Sequence, residues 1–422
     1  MDTFPEGFLW GATISAHRVE GANYHSDWWR WEQRPNRIAG GATSARAADH
    51  FNRWQEDLTL AHKLGLNALL ISLPWSRIQP AADAFDAEAL NHYAAVFDAV
   101  NALGMMPVCV LHEVTRPRWF AEGSGWSHTQ APVHYGHYVN RVAQVLAHRC
   151  RWYLPIWEPE YTMHMRFVEH LWPGGESSRG RSRRHMARAH AHACQALHGL
   201  RPDARVGLSV RTASYVPRDE NSPWDVRAAQ RMRQRQHHAF FEAVRKEAGA
   251  GAVDFIGISY YGRQWVRFAP GSPRRGFMRL VDGQGRPISP ERTQPDPHGL
   301  RGVVTEMARY ERPCVVTAHG IATGQDPERC VCLLDHLHVL HLCIAAGHDI
   351  RGYFHRSFID GFEYTRGYRD RYGLVHVDRE NLARTPNGSA FLYQDVARNN
   401  SLRTGALARF CPDWTPPKEG AQ

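Results

Sequence analysis

Residues 49 to 73 read Asp49-His-Phe-Asn-Arg-Trp-Gln-Glu-Asp-Leu-Thr-Leu-Ala-His-Lys-Leu-Gly-Leu-Asn-Ala-Leu-Leu-Ile-Ser-Leu73, and they contain two contrasting patterns. In the first part, apolar residues recur at steps of three and four, which predicts an amphipathic helix over Asp49–Gly65. The second part, Ala68–Leu73, is an almost uninterrupted apolar run, as in a strand buried on both faces of a parallel sheet. This stretch therefore predicts a helix that leads into a buried strand.

The same alternation continues over the whole chain. The other predicted strands are Phe8–Thr13, Met106–His112, Trp152–Glu158, Ala204–Val210, Val253–Tyr261, Pro313–Gly320 and Ile350–Phe358. The other predicted helices are Asp86–Leu103, Ala131–Cys150, Ser182–Leu200, Asp225–Ala248, Pro297–Arg312, Glu328–Ala346 and Pro386–Asn399. Because repeated right-handed crossovers bring the first strand beside the last, we predict that residues 1–422 form one domain, a single (β/α)8 TIM barrel. A doubly wound open sheet is the alternative, although no G-x-G-x-x-G turn or P-loop follows a strand.

The composition is that of a folded globular protein, with 43% hydrophobic and 22% charged residues among 422. The formal net charge of +9 is diffuse, and the basic run from Arg179 to Arg188 contains no aromatic residues, so it is interpreted as a solvated helix start and no nucleic-acid partner is expected. The N-terminus lacks the basic and apolar regions of a signal peptide, and no apolar run approaches the roughly 18 residues of a membrane span. We expect a cytoplasmic protein without a membrane partner.

The cysteines and histidines suggest neither a disulfide framework nor a metal site. Eight cysteines are scattered without a C-x-x-C pair, which predicts reduced core thiols. Two predicted helices are rich in histidine, with His185, His190, His192 and His198 on one and His336, His338 and His341 on the other. Most of these spacings point to different helix faces, so the histidines are interpreted as surface residues. No metal ion and no cofactor are predicted.

Polar and aromatic residues gather at the predicted strand ends, where the chemistry of such a barrel takes place. They are Arg18, Glu20, Trp75, Arg77, His112, Glu113, Trp157, Glu158, Glu160, Tyr260, Tyr261, His319, Arg356, Asp360 and Glu363. Carboxylates interleaved with Trp and Tyr suit a polyhydroxylated small molecule, because its apolar faces stack on rings while its hydroxyls bond to carboxylates and arginines.

The segment Phe8-Leu-Trp-Gly-Ala-Thr-Ile-Ser-Ala-His-Arg-Val-Glu-Gly21 resembles the N-terminal signature of family 1 glycoside hydrolases, β-glucosidase-type retaining enzymes on a (β/α)8 barrel. Further segments resemble the family in the same order, and they are Leu73–Pro80, Trp157–Pro159, Asp254–Tyr261, Ser357–Tyr364 and Tyr372–Asp378. The resemblance spans essentially the whole chain. It implies the same fold and places the family's acid/base on Glu158.

The resemblance also shows where this chain departs from the family. Retaining hydrolysis requires two carboxylates about 5 Å apart, one of them a nucleophile. The segment Val316-Thr-Ala-His-Gly320 lies where the family has Thr-Glu-Asn-Gly, so Ala318 replaces the nucleophile and His319 the following Asn. A methyl group cannot form a glycosyl-enzyme, so conventional retaining hydrolysis is not expected.

The sugar subsite implied by the resemblance is also rebuilt. The replacements are Arg18 for a Gln, Glu113 for a His, Trp157 and Ser259 for Asn, Arg356 for a Trp and Leu70 for the Arg that contacts the nucleophile. The last change fits Ala318, because a buried guanidinium without a carboxylate partner would cost several kcal/mol. Tyr261 and Glu363 match the family. Arg18, Trp157, Tyr261, Arg356 and Glu363 are therefore predicted to bind the substrate.

These residues predict an enzyme repurposed from retaining β-glycoside hydrolysis. Its ligand is expected to be a small polar metabolite, anionic or glycoside-like, since Arg18 and Arg356 can pair with a carboxylate or phosphate. Glu158 is the predicted general acid/base, with His319 or Glu113 as its partner in proton transfer. Two alternatives remain open: an inverting or otherwise atypical β-glycosidase, and a catalytically inactive pseudo-glycosidase that binds a ligand or partner protein.

Overall fold

The computed structural model describes residues 3–289, 291–402 and 405–417. Its strands are β1 (Leu9–Ile14), β2 (Ala68–Ser72), β3 (Met106–Val110), β4 (Trp152–Leu154), β5 (Arg205–Pro217), β6 (Phe255–Phe268), β7 (Met278–Val281), β8 (Cys314–His319), β9 (Ile350–His355), β10 (Val375–Val377) and β11 (Arg384–Pro386). Its α-helices are α1 (Ala16–Val19), α2 (Asp27–Glu32), α3 (His50–Lys63), α4 (Trp75–Ile78), α5 (Ala87–Ala102), α6 (Arg118–Glu122), α7 (Ala131–Leu146), α8 (Pro159–Phe167), α9 (Arg179–Leu200), α10 (Pro223–Arg233), α11 (Ala239–Ala248), α12 (Pro297–Ala308), α13 (Asp326–Ala345), α14 (Gly388–Asn399) and α15 (Gly405–Phe410).

Eight of the strands form a closed parallel barrel. Their order is β5, β4, β3, β2, β1, β9, β8, β6, and β5 pairs with β6 to complete the ring. This confirms the predicted (β/α)8 barrel and excludes the open sheet, because an open sheet would leave β5 and β6 as unpaired edges. Outside the ring, β7 pairs antiparallel with the end of β6, and β10 with β11.

The predicted helices are confirmed to within a few residues, with one exception. The stretch predicted as Asp225–Ala248 consists of α10, one turn of π-helix at Gln234–His238, and α11. Strands β5 and β6 run to Pro217 and Phe268, beyond their predicted ends, because they continue to pair with each other above the barrel. No helix of the described residues is long and apolar enough to cross a membrane.

The core has an inner and an outer layer. Leu9, Leu70, Val110, Leu154 and Phe354 fill the barrel, while a larger apolar cluster lies between the strands and the surrounding helices. All eight cysteines are buried free thiols, as predicted. The interpretation of the helical histidines as surface residues is wrong for His185, His190 and His336, which are buried against neighbouring elements of the barrel.

Candidate active site

A cavity lies at the carboxyl ends of the barrel strands. Its walls are formed by Thr13, Ser15, Arg18, Leu70, Ser72, Val110, Glu113, Val114, Trp157, Glu158, Tyr161, Trp172, Arg211, Tyr261, Glu291, Ala318, Arg356, Glu363, Tyr364, Arg366, Asp370 and Tyr372. The volume of the cavity is only about 50 Å³. Of the residues predicted to be catalytic or to bind the substrate, all but His319 line this cavity. Other polar and aromatic residues named from the sequence do not line it, and they are Glu20, Trp75, Arg77, His112, Glu160, Ser259, Tyr260 and Asp360.

Glu158 stands at the turn from β4 into α8. Its backbone is left-handed, with a φ of 42°, which is uncommon for a residue other than glycine and turns the chain sharply at the barrel mouth. The side chain is 5% exposed. Its Oε1 has no hydrogen-bond partner among the described residues, and its Oε2 lies 3.6 Å from Nη1 of Arg211. One carboxylate oxygen is thus buried at the cavity wall without a hydrogen-bond partner among the described residues.

Arg211 is a site residue that the sequence did not reveal. Its guanidinium carbon lies 4.0 Å from the ring centroid of Tyr161 and 4.2 Å from that of Tyr261. Contacts of this kind hold a cation against aromatic faces. The residue follows the predicted end of the fifth strand by one position, so a longer strand prediction would have placed it at the barrel mouth.

Arg18 and Arg356 both face the cavity, and they share one carboxylate. Each donates a hydrogen bond to Oε2 of Glu363. Arg18 also lies over the ring of Tyr364, and Arg356 lies 3.8 Å from the ring centroid of Tyr372. Burial acts to lower the pKa of Arg356, but Glu363, Tyr261 and Tyr372 together outweigh burial and leave that pKa well above its ordinary value. The two guanidinium groups are therefore held as charged partners of Glu363.

Glu113 lies in the same cavity and is fixed by hydroxyl groups. Ser15 Oγ donates to its Oε1 at 3.1 Å and Ser72 Oγ to its Oε2 at 2.9 Å, while Arg18 Nε lies 3.7 Å from Oε1. Burial raises the pKa of Glu113; Arg18 and the two serines oppose this rise, and the charge of Glu158 adds to it. A raised pKa suits a group that exchanges protons near neutral pH.

The floor of the cavity is apolar at Ala318. This residue is fully buried and belongs to the cluster that includes Leu70, Leu154 and Trp157. No carboxylate of the described residues occupies that position. Ala318 and Leu70 place no charge in this part of the barrel interior, so no unpaired ion is buried here.

His319 points to the opposite side of its strand. The pairing of β6 with β8 slips by one residue between Val316 and Ala318, so Ala318 faces inward and the next side chain faces outward. The His319 ring centroid lies 4.1 Å from that of His336 on α13, and its Nδ1 lies 2.7 Å from Tyr353 Oη. Burial, with His336 and His355, lowers its pKa well below the ordinary value. The expectation that His319 serves as a base in the cavity is therefore corrected.

The charges around the cavity nearly balance. Arg18, Arg211 and Arg356 face Glu113, Glu158 and Glu363, and near the opening Arg366 is paired with Asp370 through two hydrogen bonds of 2.9 and 3.0 Å. An incoming anion thus finds guanidinium groups that already have partners. It gains a bidentate pair only by displacing a carboxylate of the chain.

The chain belongs to glycosyl hydrolase family 1, whose model matches residues 1–251 and 241–402. Beta-glucosidase A of Thermotoga maritima is 25% identical over 448 residues, which cover 94% of this chain and 98% of the relative. The solved beta-glycosidase from Pyrococcus horikoshii superposes with a TM-score of 0.87 at 28% identity, covering 97% of this chain and 98% of that one. The Thermotoga maritima beta-glucosidase in complex with deoxynojirimycin has the same fold, with a TM-score of 0.87 at 24% identity over 96% of this chain and 100% of that one.

Proposed function

We propose that this family 1 barrel binds a small polar ligand in the cavity and uses Glu158 as general acid/base, in a reaction other than retaining β-glycoside hydrolysis. Two features of the cavity carry the proposal together. One is a buried carboxylate oxygen without a hydrogen-bond partner, and the other is an apolar floor. Glu158 Oε1 has no hydrogen-bond partner in the described chain, while Ala318 and Leu70 form a surface that cannot attack an anomeric carbon.

The ligand class follows from the relatives and from the charges. Several relatives are beta-glucosidases, and one was solved with deoxynojirimycin, which supports a hydroxylated, glycoside-like ligand. Arg18 and Arg356 support an anionic group on it, because a ligand carboxylate could replace Glu363 between them. A volume of about 50 Å³ has room for only a few water molecules, so a sugar-sized ligand requires side chains of the cavity wall to move.

An inverting glycosidase is the second candidate, and the placement of Glu113 favours it. In that mechanism Glu158 would protonate the leaving oxygen while a base activates a water on the other face of the sugar. Glu113 is close enough to Glu158 for the two charges to interact, and burial raises its pKa. The water would lie over Ala318, and the product would have the inverted configuration.

Conversion of a cell extract by the wild type and by Glu158→Gln tests the proposal. The amide keeps the shape of the side chain but cannot exchange a proton, so the variant should retain a ligand, measured by thermal shift, that only the wild type converts. Mass spectrometry of the extract before and after incubation identifies the consumed compound. A ligand bound and converted equally by both proteins would refute the role of Glu158. A ligand that both proteins bind and neither converts would instead indicate a pseudo-glycosidase.

A further inference from the structure

Behind the cavity floor, three buried side chains with metal-binding atoms lie together. They are His319 at the end of β8 and Cys332 and His336 on α13, and one ligand atom from each lies within 4.8 Å of the other two. All three residues are buried. The proposed reaction uses none of them, because their side chains lie outside the barrel ring. We propose that these three residues form a zinc site that fastens α13 to the end of β8.

The spacing within α13 fits a shared metal ion. Cys332 and His336 are four residues apart, so they lie on one face of the helix, and Cys332 Sγ is 3.6 Å from His336 Nδ1. A tetrahedral zinc ion with a Zn–S bond of about 2.3 Å and a Zn–N bond of about 2.0 Å places these two atoms about 3.5 Å apart. The observed separation is close to that value, but the His336 ring has to turn away from the Cys332 carbonyl oxygen, which lies 2.7 Å from the same nitrogen, to accept the ion.

The surroundings of His319 orient its ring in the way that metal-binding histidines require. Its Nδ1 lies 2.7 Å from Tyr353 Oη, so a proton on Nδ1 can be held by the tyrosine while Nε2 is left to bind the ion. Such a partner on the second ring nitrogen fixes the tautomer and is a regular feature of metal sites. His336 Nδ1 lies 2.7 Å from the Cys332 carbonyl oxygen, and binding would move its proton to Nε2, which has no hydrogen-bond partner of its own in the described chain.

His355 lies near this cluster but is not one of its three members, so its ring would have to move to become a fourth ligand. It is the register partner of His319 on the adjacent strand, so the two side chains leave the same face of the sheet. It is fully buried, and its Nδ1 has no hydrogen-bond partner among the described residues. With His355 moved towards the other three residues, three histidines and one cysteine would form a closed site that suits zinc and has no position for substrate. On binding, the Cys332 thiol releases its proton to solvent as the Zn–S bond forms.

Metal analysis of the whole protein tests the site directly. The wild type, expressed with zinc in the medium and purified without chelators, should carry about one zinc ion per chain, and Cys332→Ser and His336→Ala should lose it. Cys343→Ser is the matched control, since Cys343 is another buried thiol of α13 and should leave the zinc content unchanged. Glu306→Gln should also leave it unchanged, because Glu306 belongs to a separate cluster with His237 and His238.

A spectroscopic measurement keeps the test independent of folding defects in the variants. Wild-type protein produced in cobalt-supplemented medium should show the absorption of a thiolate-to-cobalt charge transfer. Wild type without bound zinc and without this absorption would overturn the proposal. Zinc that persists in Cys332→Ser but is lost in Glu306→Gln would overturn it as well. Neither result bears on Glu158, so this proposal and the proposed function can fail separately.

Discussion

Glu363 is the carboxylate that the two arginines of the rebuilt subsite share, so Glu363→Gln tests how the cavity is held together. The substitution keeps the shape of the side chain and removes its charge. Arg356 then has no carboxylate partner among the described residues, whereas Arg18 keeps Glu113 at 3.7 Å. The arginine side chains are 13% exposed and that of Glu363 is 5% exposed, so solvent screens the loss only weakly.

Removal of one partner of a buried ion pair costs about 3–5 kcal/mol. We expect the free energy of unfolding to fall by about 3 kcal/mol, the lower end of that range, because the Gln amide oxygen still accepts a hydrogen bond and Arg18 retains a carboxylate. Urea denaturation followed by tryptophan fluorescence measures the change. Glu122→Gln is the control, since it breaks the exposed pair with Arg30 and should cost less than about 1 kcal/mol. Equal losses in the two variants would refute the account of a buried, mutually dependent network.

Three further predictions concern pH, backbone packing and the cavity floor. Burial raises the pKa of Glu32 from 4.5 to about 7 against hydrogen bonds from Ser44, so the stability that this group contributes is present below pH 4.5 and is lost as the pH rises through about 7. Glu32→Gln cannot ionise and should gain stability relative to the wild type between pH 5 and pH 8 in urea titrations; a constant difference would contradict this. Gly11→Ala should lower the free energy of unfolding by about 1–3 kcal/mol, because the added Cβ would overlap the Phe354 ring. Gly302→Ala, which lies in open space on α12, should raise it by about 0.5–1 kcal/mol. Calorimetric melting temperatures of the two variants that shift in the same direction would contradict these predictions. Ala318→Glu should lower the free energy of unfolding by several kcal/mol, and Leu70→Arg in the same chain should recover part of it, because the pair would restore a counter-charge; a purely additive double mutant would speak against that coupling.

The fold could be predicted because mainly apolar strands alternate eight times with amphipathic helices, and no G-x-G-x-x-G turn or P-loop pointed to an open sheet. The site was harder to predict wherever a side chain's direction depends on register. Ala318 faces the cavity and His319 faces α13 because the pairing with β6 slips by one residue, and the sequence Val-Thr-Ala-His does not reveal that slip. Arg211 was missed because β5 is extended by its pairing with β6 rather than by its own composition.

Long-range pairs were the other features hidden from the sequence. The basic run at the start of α9 was interpreted as a solvated face, but Arg179 and Arg183 both bind Glu160, which is buried at the start of α8. The cluster of His319 with Cys332 and His336 was likewise invisible, since the three residues meet only when α13 packs on β8. Local spacing on one helix could not reveal ligands that come from two elements.

The central claim is that the chain no longer performs retaining β-glycoside hydrolysis, and release of nitrophenol from 4-nitrophenyl β-D-glucoside, with and without azide, tests it most directly. Azide can take the place of a missing nucleophile. We predict no release above that of Glu158→Gln without azide, because Ala318 cannot attack the sugar. Release without azide, with the product in the retained β-configuration by NMR, would contradict the claim.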